Sequence, residues 1–450
     1  MSEDFTALPG FSRRDGELFC EDLNLRKLAD QFGTPLYVYS REALKTALES
    51  WLRGISGTKH RVFYAMKANS NLALLKFFRD AGIGFDIVSP GELKRALMVG
   101  AKGEDIVYSG VGKSREDIRT ALRAGIGCFN VESIPELDRI NEVALQEKLL
   151  APISVRVNPD VDAKTHPYIS TGLKNNKFGV AYDQTVALYR HAASLPGVQI
   201  SGIDMHIGSQ ITELEPFVHA ADKIFDIVEQ LAQHGITLDH LDFGGGLGVR
   251  YTDETPPSAE TLVKAVSQKA SERGFADLPI YFEPGRSLVA RAGVLLTTVE
   301  YLKPTQAKNF MIVDAAMNDM VRPTLYQAQM PLVNCTEREQ SQQWDVVGPV
   351  CETGDFLARS IELAAQPGDV LAMTGAGADG FLVGRHIRND AALFQGDDAL
   401  VELAHQLVLM GNDHHGDARF AHPLQQLHHF QAQFRVDVAG GLVLKVTLIN

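Results

Sequence analysis

The chain has only four cysteines, Cys20, Cys128, Cys335 and Cys351, and none forms a CxxC pair. That spacing gives no zinc-ribbon or thioredoxin-type motif, and such sparse use fits a reducing cytosol. No run of Lys and Arg interrupts the acidic composition, which has a formal net charge of -13. Nucleic acid therefore finds no basic footprint. No apolar stretch reaches the roughly 20 residues that span a bilayer. The start, MSEDFTALPGF, is acidic and polar, unlike a secretory signal peptide. A cytoplasmic protein without membrane or nucleic-acid partners is expected. Gly244-Gly245-Gly246-Leu247-Gly248 does not match GxGxxG at the glycine positions that motif needs, and no Tyr follows Tyr326.

What is present is a large apolar complement, 45% of 450 residues. Eight short β-branched or aromatic runs are expected as strands: Arg61–Met66, Gly84–Val88, Asp105–Tyr108, Cys128–Val131, Ile153–Val157, Ile200–His206, Leu238–Phe243 and Leu278–Phe282. Between them lie stretches with apolar residues at helical spacing, such as Leu72–Phe78, Glu92–Met98 and Asp117–Leu122. Alternating strand and helix implies a parallel sheet with helical crossovers. Eight units suggest an α/β fold of the closed (β/α)8 TIM-like type, and an open doubly wound sheet is the alternative. After about residue 290 the runs Val294–Tyr301, Asn309–Val313, Asp345–Val347 and Val370–Thr374 follow with few long helices between them, which suggests a second, mainly β domain. The expected division is 1–36 joining the β domain, 37–285 as the barrel, 286–378 as the β domain, and 379–450 as an atypical tail. That tail holds His386, His405, His414, His415, His422, His428 and His429. A His-rich tract can bind metal. These histidines lack a carboxylate-His spacing, so surface chain is the better reading and no metal is expected.

Polar and glycine residues stand directly after the apolar runs, where a barrel places its chemistry. Lys67 ends the first strand, and burial there would lower its pKa and make it nucleophilic. Asp86 and Ser89 follow the second strand, Arg156 and Asn158 the fifth, and His206 the sixth. Gly244-Gly245-Gly246 after the seventh could bring backbone N–H groups to an anion. Glu283-Pro284-Gly285-Arg286 puts an acid and a base at the eighth strand end. Glu283 could bond a protonated ring nitrogen, and Arg286 could pair with a phosphate or carboxylate. A snorkelling Lys, an ordinary turn, a structural His and a structural ion pair are the bland alternatives for these four features.

Taken in order, six segments resemble the fold-type III pyridoxal-phosphate decarboxylases: YAMKANSN at 64–71, FDIVSPGEL at 85–93, HIGSQ at 206–210, GGGLG at 244–248, EPGR at 283–286 and CETGD at 351–355. The resemblance covers roughly residues 30 to 378. The segments at 165–179 and 317–326 look like the family's diaminopimelate branch rather than its ornithine branch. The resemblance implies an alanine racemase-like fold and decarboxylation of meso-2,6-diaminopimelate to L-lysine. It implies pyridoxal 5'-phosphate as cofactor, with Lys67 as its Schiff-base amine. Glu283 would keep the ring nitrogen protonated and His206 would lie on the ring face. Asp86, Ser209, Gly244, Gly245, Gly246, Pro284, Gly285 and Arg286 would complete the cofactor site. Arg286, Arg322, Tyr326 and Glu352 would bind substrate. Cys351 would donate a proton, with Cys351 and Glu352 reaching across the interface of a homodimer.

After Gly375-Ala376-Gly377-Ala378 the family normally has Tyr-Gly, and this chain has Asp379-Gly380. A carboxylate there would repel a phosphate dianion. A shifted reading frame near codon 379 and a diverged relative are the two readings of this departure. A catalytically impaired cofactor-binding homologue, or a decarboxylase of another diamino acid such as ornithine, is the alternative function.

Overall fold

The computed structural model describes residues 8–163, 166, 171–172 and 176–378, with the backbone of 441–444. Its strands are, in chain order, β1 Phe11–Arg14, β2 Glu17–Cys20, β3 Leu23–Asn24, β4 Leu36–Ser40, β5 Arg61–Ala65, β6 Gly84–Ile87, β7 Ile106–Tyr108, β8 Cys128–Val131, β9 Ala151–Asn158 and β10 Val180–Ala181. They continue as β11 Val198–Met205, β12 His240–Asp242, β13 Ile280–Phe282, β14 Gly293–Pro304, β15 Asn309–Val313, β16 Leu332–Asn334, β17 Gln342–Val347, β18 Phe356–Leu363, β19 Val370–Met373 and β20 Gly441–Leu444. The Asp379 position, the seven tail histidines and much of the 165–175 segment lie outside the described residues.

All eight expected barrel strands form. They pair in the order β9-β11-β12-β13-β5-β6-β7-β8, and β8 pairs with β9 to close the ring. Every pairing in the ring is parallel. That excludes the open sheet. Their near-continuous apolar runs reflect burial on both faces, with Phe63, Val107 and Cys128 packing inside the ring. Local signals set the crossover helices. Ser89 caps Pro90–Met98 by accepting from the Glu92 N–H, and Ser114 with Asp117 forms a reciprocal capping box for Arg115–Arg123.

The chain divides into two compact units. One comprises Leu44–Ser70 and Leu74–Ala290, which holds the barrel. The other gathers the described residues up to Ala43, Asn71–Ala73 and those from Arg291 onward. The expected barrel start at residue 37 needs correcting. β4 pairs antiparallel with β14, with Leu36 opposite Leu296 and Tyr39 opposite Gly293, so its backbone partners belong to the β unit. Residues 286–290 stay with the barrel unit.

In the β unit the sheet path runs β16-β19-β14-β15-β17-β18, with β4 on β14 and β20 on β4. β16 and β18 were not expected from sequence. Val38, Leu36, Val294, Leu296, Ala372 and Cys335 share one buried apolar cluster. Burying each of the larger side chains contributes roughly 1.5–3 kcal/mol. Among the described residues no helix is long and apolar enough to cross a membrane.

Candidate active site

Side chains alternate along a strand with period two, so each barrel strand sends a stack of residues inward. Phe63, Val107, Cys128 and Tyr281 form the lower layer. Two residues further along the chain from Cys128 and Tyr281 stand Asn130 and Glu283. The Asn130 amide donates to Glu283 Oε1 at 3.2 Å and to Ser109 Oγ at 3.1 Å. β8 and β13 are separated by three strands in the ring, so the bond to Glu283 crosses the interior at its C-terminal end.

Lys67 follows β5 in a 3-10 turn, Met66–Ala68. Its Nζ donates to Asp86 Oδ2 at 2.8 Å. The Lys67 side chain is 48% exposed and that of Asp86 is 0% exposed, so the amine opens onto the barrel mouth above a buried carboxylate. The expectation of a lowered Lys67 pKa is overturned. Burial pulls it down, but the carboxylates of Asp86 and Glu283 outweigh that and raise it.

Glu283, Asp242 and Asp204 are buried, and their carboxyl oxygens lie within 4.8 Å of one another. Burial, then repulsion from Asp242, raises Glu283 and Asp204 well above the usual carboxyl range; burial, then Asp86, raises Asp242 to about 7 against the Gly244 N–H and its contact with Glu283. These three are the donors a cation could use. Buried Arg156 stands among them in register beside Asp204, and Lys67 lies above, which opposes a divalent ion. Arg156 is itself bonded to Glu132 at 3.0 Å. Stripping one partner from such a buried pair costs about 3–5 kcal/mol.

His206 accepts from the Gly245 N–H through Nδ1 at 3.2 Å. Burial, then Arg156 and Lys67, hold its pKa well below the usual value. The ring is therefore neutral, with its proton on Nε2. The glycine turn is pressed against its neighbours. A Cβ on Gly245 would sit 2.2 Å from the Glu283 carbonyl oxygen, and one on Gly246, at φ +105°, would sit 2.4 Å from that of Gly208. The Gly244 N–H is spent on Asp242 Oδ1 at 2.8 Å and the Gly245 N–H on His206. Of the three amides expected to face an anion, that leaves Gly246.

Pro284 accepts from the Ala65 N–H at 3.0 Å, tying the EPGR turn to the end of β5. Gly285 is needed there, since a Cβ would meet that of Ala68 at 2.9 Å. Arg286 donates to Ser209 Oγ through Nε and Nη2, at 3.2 and 3.0 Å, and to Tyr251 OH through Nη1 at 2.6 Å. The barrel mouth thus brings together Lys67, Asp86, His206, Ser209, Gly244–Gly246 and Glu283–Arg286.

The other four expected residues fall in the β unit. Arg322 is buried, with its guanidinium 5.7 Å from the Tyr326 ring centre. Cys351 and Glu352 lie in an exposed turn. Thr324 Oγ1 donates to the Gly354 carbonyl at 2.9 Å, which links the Arg322–Tyr326 helix to that turn. Sequence reading missed Asp204, Asp242 and Asn130 as parts of the barrel mouth. The signal was an acid inside an apolar strand, two residues before His206 in one case and two before Gly244 in the other.

The family described as "Pyridoxal-dependent decarboxylase, pyridoxal binding domain" matches residues 41–290. The diaminopimelate decarboxylase of Pseudomonas aeruginosa is 53% identical over 374 residues, 83% of this chain and 89% of that protein. That of Vibrio cholerae is 50% identical, covering 82% and 88%. The crystal structure of the Helicobacter pylori enzyme complexed with L-lysine superposes with a TM-score of 0.77 at 40% identity, covering 81% of this chain and 92% of that one. With this identity along most of its length, and with the closed parallel barrel those structures share, the chain belongs to the diaminopimelate decarboxylases of the pyridoxal-dependent decarboxylase family.

Proposed function

We propose that this protein removes CO2 from meso-2,6-diaminopimelate to give L-lysine, using pyridoxal 5'-phosphate held at Lys67. One observation carries the assignment of roles: the Lys67 amine, the Glu283 carboxyl, the neutral His206 and the glycine turn all face one open barrel mouth.

The residues fit this cofactor. The glycine turn leaves no room for side chains, and Gly246 can offer its amide to an anion. Arg286 supplies cationic N–H groups beside Ser209. Asp86 Oδ1 is buried without a protein donor and can accept from a bound group. When bound, the conjugated, ring-protonated cofactor spreads the electron pair left behind by departing CO2.

The chain's own residues divide the remaining work. Glu283 would hold a proton at the ring nitrogen, a charge-assisted contact worth roughly 1.5–3 kcal/mol. His206 would cover the ring face without adding a positive charge that opposes that proton. Lys67 is held as an ammonium by Asp86, so it must pass a proton on before it can bond an aldehyde carbon. Asp86, at 2.8 Å, is the nearest acceptor. Two arginines, Arg286 and Arg322, suit a substrate with two carboxylates, because the guanidinium fork matches carboxylate geometry. Tyr326 and Glu352 would help hold the distal end. Cys351 would return a proton to carbon, reaching the site of a second copy in a homodimer. The four cysteines are unpaired, three buried and Cys351 exposed, which suits the cytoplasm.

The test is CO2 and lysine release from meso-diaminopimelate, with ornithine as control. Borohydride reduction should fix the cofactor's mass on the peptide carrying Lys67. A labelled peptide elsewhere, or turnover of ornithine alone, rejects the assignment. If the Asp379 carboxylate impairs the enzyme, Asp379→Tyr raises turnover. Sedimentation at working concentration reads the dimer.

A further inference from the structure

The barrel mouth holds two acidic residues that the roles above do not use. Asp204 of β11 and Asp242 of β12 are direct register partners in a parallel pairing. Both are 1% exposed. Each lies within 4.8 Å of the other and of Glu283, measured between carboxyl oxygens. Asp242 Oδ1 takes the Gly244 N–H. Among the described residues no N–H or O–H reaches Asp242 Oδ2 or Asp204 Oδ1. Two buried carboxyls this close, each with an oxygen that no donor reaches, repel if both are ionised, and one bound proton relieves that repulsion.

We propose that Asp204 and Asp242 share a single proton, and that this pair is a positioning element that sets the charge beside Glu283. The inference rests on the cofactor reading above only for its consequence, not for the proton itself.

The charged and titratable groups around the pair are Arg156 with Glu132, Asp86, Lys67 and Glu283, His206 just after β11 and His240 in β12, and Cys128, Tyr189 and Tyr281 from neighbouring elements. Arg156 balances one negative charge on the pair, but Asp86 and Glu283 compete for the cations, so a second charge finds no counterpart. With one proton the pair carries a charge of about -1. A fully ionised pair would press a proton onto Glu283 and alter its contact with a ring nitrogen. Burial raises the proton affinity of both members; repulsion from Asp242 raises Asp204 further, and Asp86 raises Asp242 against the opposing Gly244 N–H and its contact with Glu283.

The arithmetic of amide substitution separates the three possible states. With one shared proton, Asp204→Asn or Asp242→Asn leaves one ionised carboxylate, and the amide N–H takes the place of the proton. The pair's charge is unchanged, and its protonated-carboxyl infrared band vanishes in either single variant. The double variant brings the pair to neutrality. Infrared difference spectra of the full-length protein, wild type minus each variant, should show that band lost in both single variants. The pH midpoint of the bound cofactor's absorbance should stay in place in each single variant and move by about one unit in the double variant, a tenfold change in proton affinity.

A band persisting at half intensity in both single variants means two protons and overturns the proposal. No band from the pair in wild type means none, and also overturns it. Either single variant suffices for the infrared reading if the other does not fold. Lack of cofactor absorbance would reject the functional reading and leave the infrared result standing.

Discussion

Two layers of the same barrel interior treat polar groups in opposite ways. In the lower layer the His240 ring meets Ser154 Oγ at 3.2 Å and stacks on Tyr281 at 4.2 Å between ring centres. Ser154 also accepts from the Cys128 thiol, at 3.4 Å. One step up, Asp86 Oδ1, Asn130 Oδ1, Asp204 Oδ1 and Asp242 Oδ2 are all buried without a protein donor. Native interiors pair nearly all such atoms. The lower layer follows that rule and holds the barrel together. The upper layer breaks it where a bound cofactor and movable protons would supply the missing partners. The contrast separates residues kept for stability from residues kept for chemistry, although both are polar, buried and only a few ångströms apart.

The largest effect that tests this contrast lies in the upper layer. Lys67→Ala should lower kcat on the order of 10²–10⁴-fold and abolish borohydride labelling, while the melting temperature of the cofactor-free protein changes little. A large fall in that melting temperature would mean that Lys67 serves the fold. Next comes pH, where the two layers should act with opposite sign. Burial, then Arg61, lower the His240 pKa from 6.5 to about 4. Its contribution is intact above about 6.5 and is lost as pH falls to about 4, because the unfolded chain takes up the proton first. The loss is about 3 kcal/mol. Asp242 is raised from 3.8 to about 7. Its contribution is intact below about 3.8 and is lost as pH rises through about 7. Both slopes fall between about pH 4 and 7 and oppose each other. In denaturant melts across that window, His240→Gln should leave a stability that falls as pH rises, and Asp242→Asn one that falls as pH drops. If either substitution removed both slopes, the layers would not be independent.

The architecture was legible because its signals are local. Runs such as Val62-Phe63-Tyr64-Ala65 and Leu238–Phe243 are apolar, short and bounded by turns, so eight strands could be located without tertiary information. β4 was placed in the wrong unit because its partner, β14, lies some 250 residues away in the chain, and nothing within Leu36–Ser40 names that partner. β18 was missed because Phe356–Leu363 carries Arg359, Ser360 and Glu362 on a half-exposed strand, which blurs the apolar run. Lys67, Glu283 and the glycine turn were visible as breaks in apolar runs. The direction of the Lys67 shift was not, because it depends on carboxylates from β6 and β13 that only closure of the ring brings near. Asp204 and Asp242 could have been found by counting back two residues from His206 and Gly244.

Smaller effects test the boundary between the layers. Glu283→Gln keeps the Asn130 contact but removes the charge facing the ring nitrogen. Losing a contact of about 1.5–3 kcal/mol should lower kcat about 10- to 150-fold, with a shifted cofactor spectrum and a nearly unchanged melting temperature. Ser154→Ala is its counterpart one layer down. It leaves the His240 Nε2 and the Cys128 thiol without that hydroxyl, at a cost of about 1–3 kcal/mol in unfolding free energy. No loop at the mouth touches Ser154 through the bonds described for it, so kcat should stay within about twofold once the protein is folded. A denaturant melt alongside a steady-state assay checks both halves. A drop in kcat without a drop in stability would place the functional boundary one layer deeper than the orphaned oxygens mark it.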